Sequence, residues 1–430
     1  MKKSIIFLCA KLLFVSYSLM AQMPTPLNAI LKSIQDTVTK KVLANPDQYR
    51  YQIVYTQINR AKNGTPSFKN YTLHTRPEKY FNPASMVKMP LAFLSLEKLQ
   101  ELKTKGVNKF TTIQFDSSYE RQVAMYSDSS AQNKKPSIAH FIKRAFLISE
   151  NDPYNRMYQF VGQGEANRKL HAKGYPSARI TRQFMGFTEM QNRHTNGIQF
   201  LDASGVPILK IPPQFNQDSF HFGTPILIGD AHWNSRDELI QGPYDFTKHN
   251  HLALEDLQKM LQSILFPSSV APSSRFNISE ADRLFLLQYL SQYPSETNYP
   301  KYDTNLFYDS YVKFFFQDST HQIPDHIRVF NKVGWAYGFM TDVSYVLDTK
   351  NNIDYMLSAT IYVNSDGVVN DSKYDEATIG FPFFRSIGKA FYEYELKRPR
   401  SHQPKLFNQV LQYEKRNPND TRPSIVNADN

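Results

Sequence analysis

Apolar positions recur along this chain with two periods, and the change between them outlines the elements. Residues 27 to 40 place Leu27, Ile30, Leu31 and Ile34 on one stripe, which predicts an amphipathic helix. Residues 49 to 58, YRYQIVYTQI, alternate Tyr49, Tyr51, Ile53 and Tyr55, the two-residue period of a strand. A second strand over 67 to 75 follows the turn at Asn63-Gly64, so the pair reads as a hairpin. The next stretch, FNPASMVKMPLA (81 to 92), opens with Asn82-Pro83, a helix-start signal; Pro90, unable to donate to the Met86 carbonyl, predicts a kink. Residues 136 to 148 set Ile138, Phe141, Ile142, Ala145 and Phe146 at helical spacing and end at the polar turn SENDP. Two further helices are predicted over 254 to 266 and 279 to 290, the second opened by Ser279 with Asp282 three positions on. The period then returns to two in FMTDVSYVLD (339 to 348) and DYMLSATIYV (354 to 363), around a turn at Asn351 and Asn352, and a last helix spans roughly 380 to 396. Strands at both ends with helices between them predict an α/β chain of the α+β kind, whose N-terminal and C-terminal strands meet in one antiparallel sheet.

Composition narrows the class. With 430 residues, 41% of them hydrophobic, the chain can bury one large core or two medium ones. Residues 1 to 21 carry Lys2 and Lys3, apolar stretches around Lys11 and a small residue at Ala21, the pattern of a secretory signal peptide, so the expected location is periplasmic or secreted. The only cysteine, Cys9, falls inside this leader, which leaves the mature chain without a disulfide or a cysteine metal site. Net charge is +11 and drops to +8 without the leader lysines, a value that suits a polyanionic envelope; no nucleic-acid module accompanies it. No later apolar run is long enough to span a membrane.

Three short polar groupings carry the candidate chemistry. Ser85 and Lys88 stand three apart at a helix start and share a face, so a hydroxyl meets an amine. Ser149-Glu150-Asn151 follows a buried helix, and Lys332-Val333-Gly334 precedes a strand. S-x-x-K, S-D-N and K-T-G in this order mark class A β-lactamases and penicillin-binding proteins. The chain therefore resembles the β-lactamase-like serine hydrolases of the penicillin-recognising superfamily, closest to the class A catalytic domain, over roughly residues 27 to 396. Pro90, five residues after Ser85, and Asn155 and Gly162 after the second motif extend the likeness. Glu150 stands where the family has Asp, and Val333 where it has a hydroxyl residue.

The resemblance implies the β-lactamase/transpeptidase-like fold and a role for each group. Ser85 is the acyl-accepting nucleophile, Lys88 its base, and Ser149 the relay to the leaving nitrogen; Asn151, Lys332, Gly334 and Trp335 hold the substrate. In class A enzymes a glutamate in E-x-x-x-N activates the hydrolytic water. Glu189 is the candidate here, with Arg193 in place of the Asn. Ser149 follows Ser85 by 64 positions, but Lys332 follows Ser149 by 183, which implies insertions near 198–250 and 294–325. The domain plan is thus a leader (1–21), a hydrolase domain (22–396) and a polar tail (397–430), expected to be mobile from about 415. No cofactor or metal is implied: His249 and His251 in KHNH read as a solvated loop, because no carboxylate or cysteine completes a metal set. Trp335 and Tyr337 follow the third motif and could line the cleft. The expected function is an exported, monomeric serine hydrolase acting on an amide or β-lactam, with a small-molecule or peptide substrate of the cell envelope. The alternatives are a non-hydrolysing penicillin-binding or scaffold protein, and a D-amino-acid peptidase or esterase.

Overall fold

The computed structural model describes residues 25–404 and 411–428. The expected leader and Cys9 lie outside the described residues. The centre is a five-stranded antiparallel sheet in the order Ile327–Ala336, Phe339–Asp348, Ile353–Tyr362, Gln52–Arg60, Pro66–Leu73. The first and last thirds of the chain meet where Tyr55 pairs with Leu357, and the N-terminal hairpin closes through Tyr55 opposite Tyr71. Its turn needs Gly64 at φ +85°, a conformation open to glycine at no steric cost.

Alternation along the strands sorts side chains into two cores rather than into core and solvent. Ile53 and Tyr55 face the helices Pro26–Ser33, Thr37–Ala44 and Phe381–Lys397. Val54 and Ile58 face the helix Leu254–Leu265 and, beyond it, a helical part built from Lys88–Leu102, Ile138–Leu147, Asn151–Val161 and Glu280–Ser291. The two middle strands, Phe339–Asp348 and Ile353–Tyr362, are buried throughout.

Several boundaries differ from the sequence reading, each for a local reason. The helix expected over 27 to 40 is two helices, because Ile34 is extended and the Asp36 carboxylate caps the second by accepting from the Thr39 N–H at 2.7 Å. Tyr49 and Tyr51 precede the first strand instead of opening it. Ser85 lies in a 3₁₀ turn, Ala84–Val87, and the regular helix starts at Lys88. Pro90 thus sits in the first helical turn, where no amide donor is needed, and fixes the helix start instead of kinking its interior. Within the 198–250 insertion, Ile198–Leu201 pairs with Thr112–Phe115 and Pro207–Ile211, and Ala231–Trp233 pairs with Leu239–Gln241 and Val368–Val369.

The tail expected to be mobile is packed over residues 411–428. Glu414 accepts from Lys143 at 3.0 Å and from the Tyr289 hydroxyl at 2.5 Å, and the Ile425 N–H donates to the Lys301 carbonyl at 2.8 Å. Among the described residues no helix is long and apolar enough to cross a membrane.

Candidate active site

Asn82 starts the local geometry. Its side-chain oxygen accepts from the Ala84 N–H at 2.8 Å, and Ala84 takes a left-handed φ of +43°, which turns the chain sharply into the 3₁₀ segment. In such a segment residues i and i+3 eclipse, so Ser85 and Lys88 are stacked more directly than on an α-helix. Lys88 Nζ lies 2.8 Å from Ser85 Oγ and donates to Asn151 Oδ1 at 2.8 Å and to the Ser149 carbonyl; Ser149 Oγ is 3.4 Å away. Ser85 is half-buried and Lys88 fully buried.

The helix Ile138–Leu147 ends just before Ser149, whose φ of +70° reverses the chain into the helix Asn151–Val161. That reversal aims the Ser149 and Asn151 side chains at Lys88. From the sheet, Lys332 Nζ donates to Ser149 Oγ at 2.8 Å and to the Val333 carbonyl at 2.7 Å. Burial, and next the charge of Lys88, hold Lys332 well below the usual lysine range, although Asp342 pulls the other way. Gly334 lets the edge strand touch the Ser85 turn: a Cβ there would press on the Pro83 carbonyl oxygen and the Met86 nitrogen. Trp335 borders the cleft while its ring packs on Phe314 and Tyr311, and Val333 is buried in the core beside Phe381–Lys397.

Ser85, Lys88, Ser149, Asn151 and Lys332 therefore come together, with Gly334 and Trp335 beside them. Glu189 does not join them. It is an exposed residue of a short helix, paired with Lys248 at 2.6 Å, and lies outside the lining of the Ser85 cleft. The wall where a deacylating carboxylate was expected is instead Arg182 to Gly186, and Phe184 sets its ring 5.2 Å from Lys88 Nζ. None of the described residues lining this cleft, about 480 Å³ in volume, is Asp or Glu.

Sequence reasoning missed part of the site. His249 and His251 are buried, not solvated. His249 borders the cleft and meets the Arg182 guanidinium at 2.8 Å; burial, then Arg182, push it down to about 3, so it is neutral. Tyr337, at φ +54° in the tight turn after the edge strand, stacks on Tyr244 at 5.6 Å and lines the cleft. Glu150 turns away from the cleft: Arg144 donates to it at 2.8 and 2.5 Å, and the Tyr302 hydroxyl donates to its other oxygen. Tyr337 was expected at the cleft from its place after the third motif, whereas nothing local marks Tyr302, which arrives from a distant segment. Among the described residues no cluster of three or more His, Cys, Asp or Glu could hold a metal ion.

A serine on a 3₁₀ turn and a lysine opening the helix that follows are thus met by a second serine from a helical part and a second lysine from a sheet edge. Over its N-terminal part the chain is similar to β-lactamase enzymes. Residues 34–204, which carry Ser85, Lys88, Ser149 and Asn151, match the model of the Beta-lactamase enzyme family. Similar solved structures include a β-lactamase from Sphaerobacter thermophilus, 11% identical, covering 84% of this chain and 97% of that one, with a TM-score of 0.45. A β-lactamase from Xanthomonas campestris pv. campestris is 11% identical over 85% of this chain and 97% of its own, with a TM-score of 0.46. An ancestral class A β-lactamase is 12% identical over 83% and 99%, with a TM-score of 0.46. No curated protein matches the chain in sequence.

Proposed function

We propose that this chain is an exported hydrolase that opens an amide, a β-lactam or a related envelope acyl compound through an acyl-enzyme on Ser85, and that the acyl-enzyme is long-lived. The observation that carries the reading is the 2.8 Å approach of Lys88 Nζ to Ser85 Oγ, with Ser149 Oγ 3.4 Å from Lys88 Nζ and 2.8 Å from Lys332 Nζ. As a neutral amine Lys88 would donate to Asn151 Oδ1 and the Ser149 carbonyl and accept the Ser85 proton, so its hydrogen bonds balance for a base. Ser85 Oγ would then attack the carbonyl carbon. The Ser85 N–H and an outward N–H of the edge strand near Trp335 are the donors for the oxyanion. The proton would pass by way of Ser149 Oγ, which Lys332 holds, to the leaving nitrogen.

Slow deacylation is supported by the cleft lining, which offers no carboxylate to activate water. The buried Val333 supplies no hydroxyl for a substrate carboxylate, which leaves Arg182 as the cation lining the cleft for that task. Closeness to class A extends to the acylating groups only. Export rests on the leader pattern, and a monomer suffices because one chain supplies every group named.

A fluorescent penicillin followed over time tests the reading. Stable label on Ser85 is the expected result, lost in Ser85→Ala. Rapidly vanishing label would overturn the long-lived intermediate, and no label would favour the scaffold alternative. For export, mass spectrometry of protein from the producing cell should find the leader removed; an intact Met1 would refute it.

A further inference from the structure

Residues Thr181 to Phe184 belong to no helix or strand, yet each of their backbone N–H groups donates to a buried asparagine. Thr181 and Arg182 share Asn250 Oδ1 at 2.8 and 3.1 Å, Gln183 donates to Asn192 Oδ1 at 2.8 Å, and Phe184 donates to Asn155 Oδ1 at 2.8 Å. The Arg182 carbonyl accepts from the Tyr154 hydroxyl at 2.7 Å. Pairing that a helix or sheet ladder normally supplies comes here from side chains of separate segments, so the stretch is fixed in place without being regular.

What this pinned stretch brings to the site is an aromatic ring. Phe184 stacks on Tyr154 with ring centres 4.3 Å apart, and its own centre lies 5.2 Å from Lys88 Nζ. The Lys88 amine makes polar contacts with Ser85, Ser149 and Asn151, while the ring offers it an apolar face. Lys88 is fully buried, whereas Phe184 is half-buried and lines the cleft together with Ser85; the ring meets solvent where the amine does not.

The arrangement bears on hydrolysis. To free Ser85, a water oxygen must bond to the acyl carbon while a base takes one of its protons. The bond from that carbon to Ser85 Oγ then breaks, Oγ receives the proton, and a carboxylic acid leaves. With no Asp or Glu in the described lining, Lys88 is the base at hand once the leaving nitrogen has carried off the acylation proton. For that role the amine needs a water beside it, and a phenyl ring offers water neither a lone pair nor a strong donor.

We infer that Phe184, held by Asn155, Asn192 and Asn250, sets the lifetime of the acyl-enzyme by keeping water from the Lys88 amine. This rests on the Ser85 acylation reading. Wild type, Phe184→Ala and Phe184→Leu are labelled with a fluorescent penicillin and freed of excess probe, and decay of the Ser85 adduct is followed by mass spectrometry. The Ala variant should lose its adduct about tenfold or more faster than wild type, a part of the roughly 10² to 10⁴ that a positioned base contributes. Leu refills the space with an apolar side chain and should keep a lifetime nearer to wild type than to Ala. An Ala lifetime within about twofold of wild type, or a Leu lifetime nearer to that of Ala, would overturn the inference while Ser85 acylation stands. Wild-type adduct that vanishes rapidly would overturn the long-lived intermediate and the inference, and absence of any adduct would overturn acylation as well. Circular dichroism checks that each variant keeps its fold, and Phe184→Val takes the place of an Ala variant that does not.

Discussion

At the scale of single residues, the cleft depends on one missing atom and two shared hydroxyls. Gly334 has no Cβ, and that absence is what allows the sheet edge to lie against the turn carrying Ser85. Gly334→Ala should cost about 1–3 kcal/mol by overpacking and should slow acylation as Lys332 and Ser149 drift apart; denaturant unfolding and labelling rate measure the two effects. Lys88→Ala should lower the labelling rate by roughly 10² to 10⁴, the usual worth of a positioned base, with the fold retained as judged by circular dichroism. His249 gives a pH signature. Its folded value of about 3 lies below its ordinary 6.5, so between these the unfolded chain binds the extra proton and stability rises with pH. The gain is lost as pH falls through that window, at up to about 1.4 kcal/mol per pH unit. His249→Asn should flatten the unfolding free energy measured from pH 3 to 6.5.

Elements decide how these residues are presented, and here the second motif is the informative case. Ser149 and Asn151 face Lys88 because Glu150 between them is held from behind by Arg144 and Tyr302. Tyr302→Phe should remove a donor from a buried carboxylate, at about 1–3 kcal/mol, and should reduce labelling more than a surface substitution of equal cost would; restoring a hydroxyl donor nearby would be needed to recover it. The motif residues were legible in the sequence because the nucleophile turn and the second motif are each set by short local spacing, and the strand pairing around 339–362 by period and turn chemistry. What supports them was not. Tyr302, the Arg182–His249 contact and the packed tail come from segments far apart in sequence, and no local period records which surface each will meet. Glu189 shows the converse: a carboxylate in a plausible place along the chain ends exposed on a short helix, beside Lys248. The KHNH histidines were read as solvated because no ligand set surrounds them, yet burial against aromatic rings accounts for both.

Over the whole molecule, the sheet joins the strand Gln52–Arg60 to Ile353–Tyr362, about 300 residues later in the chain. The same closure brings Lys332 to Ser149, and residues 411–428 then pack over the segment around Tyr302. Such pairings are paid late in folding, since a long loop must close before any contact rewards it. A chain emerging from a ribosome or a translocation pore would therefore present the Ser85 turn long before the residues that complete it exist. Until the last strands arrive, the serine has its lysine but neither the second lysine nor the sheet edge, so the proposed acylation would lack part of its apparatus. Reactivity would switch on only with the finished fold, sparing the nascent chain from premature capture by acylating compounds in its surroundings.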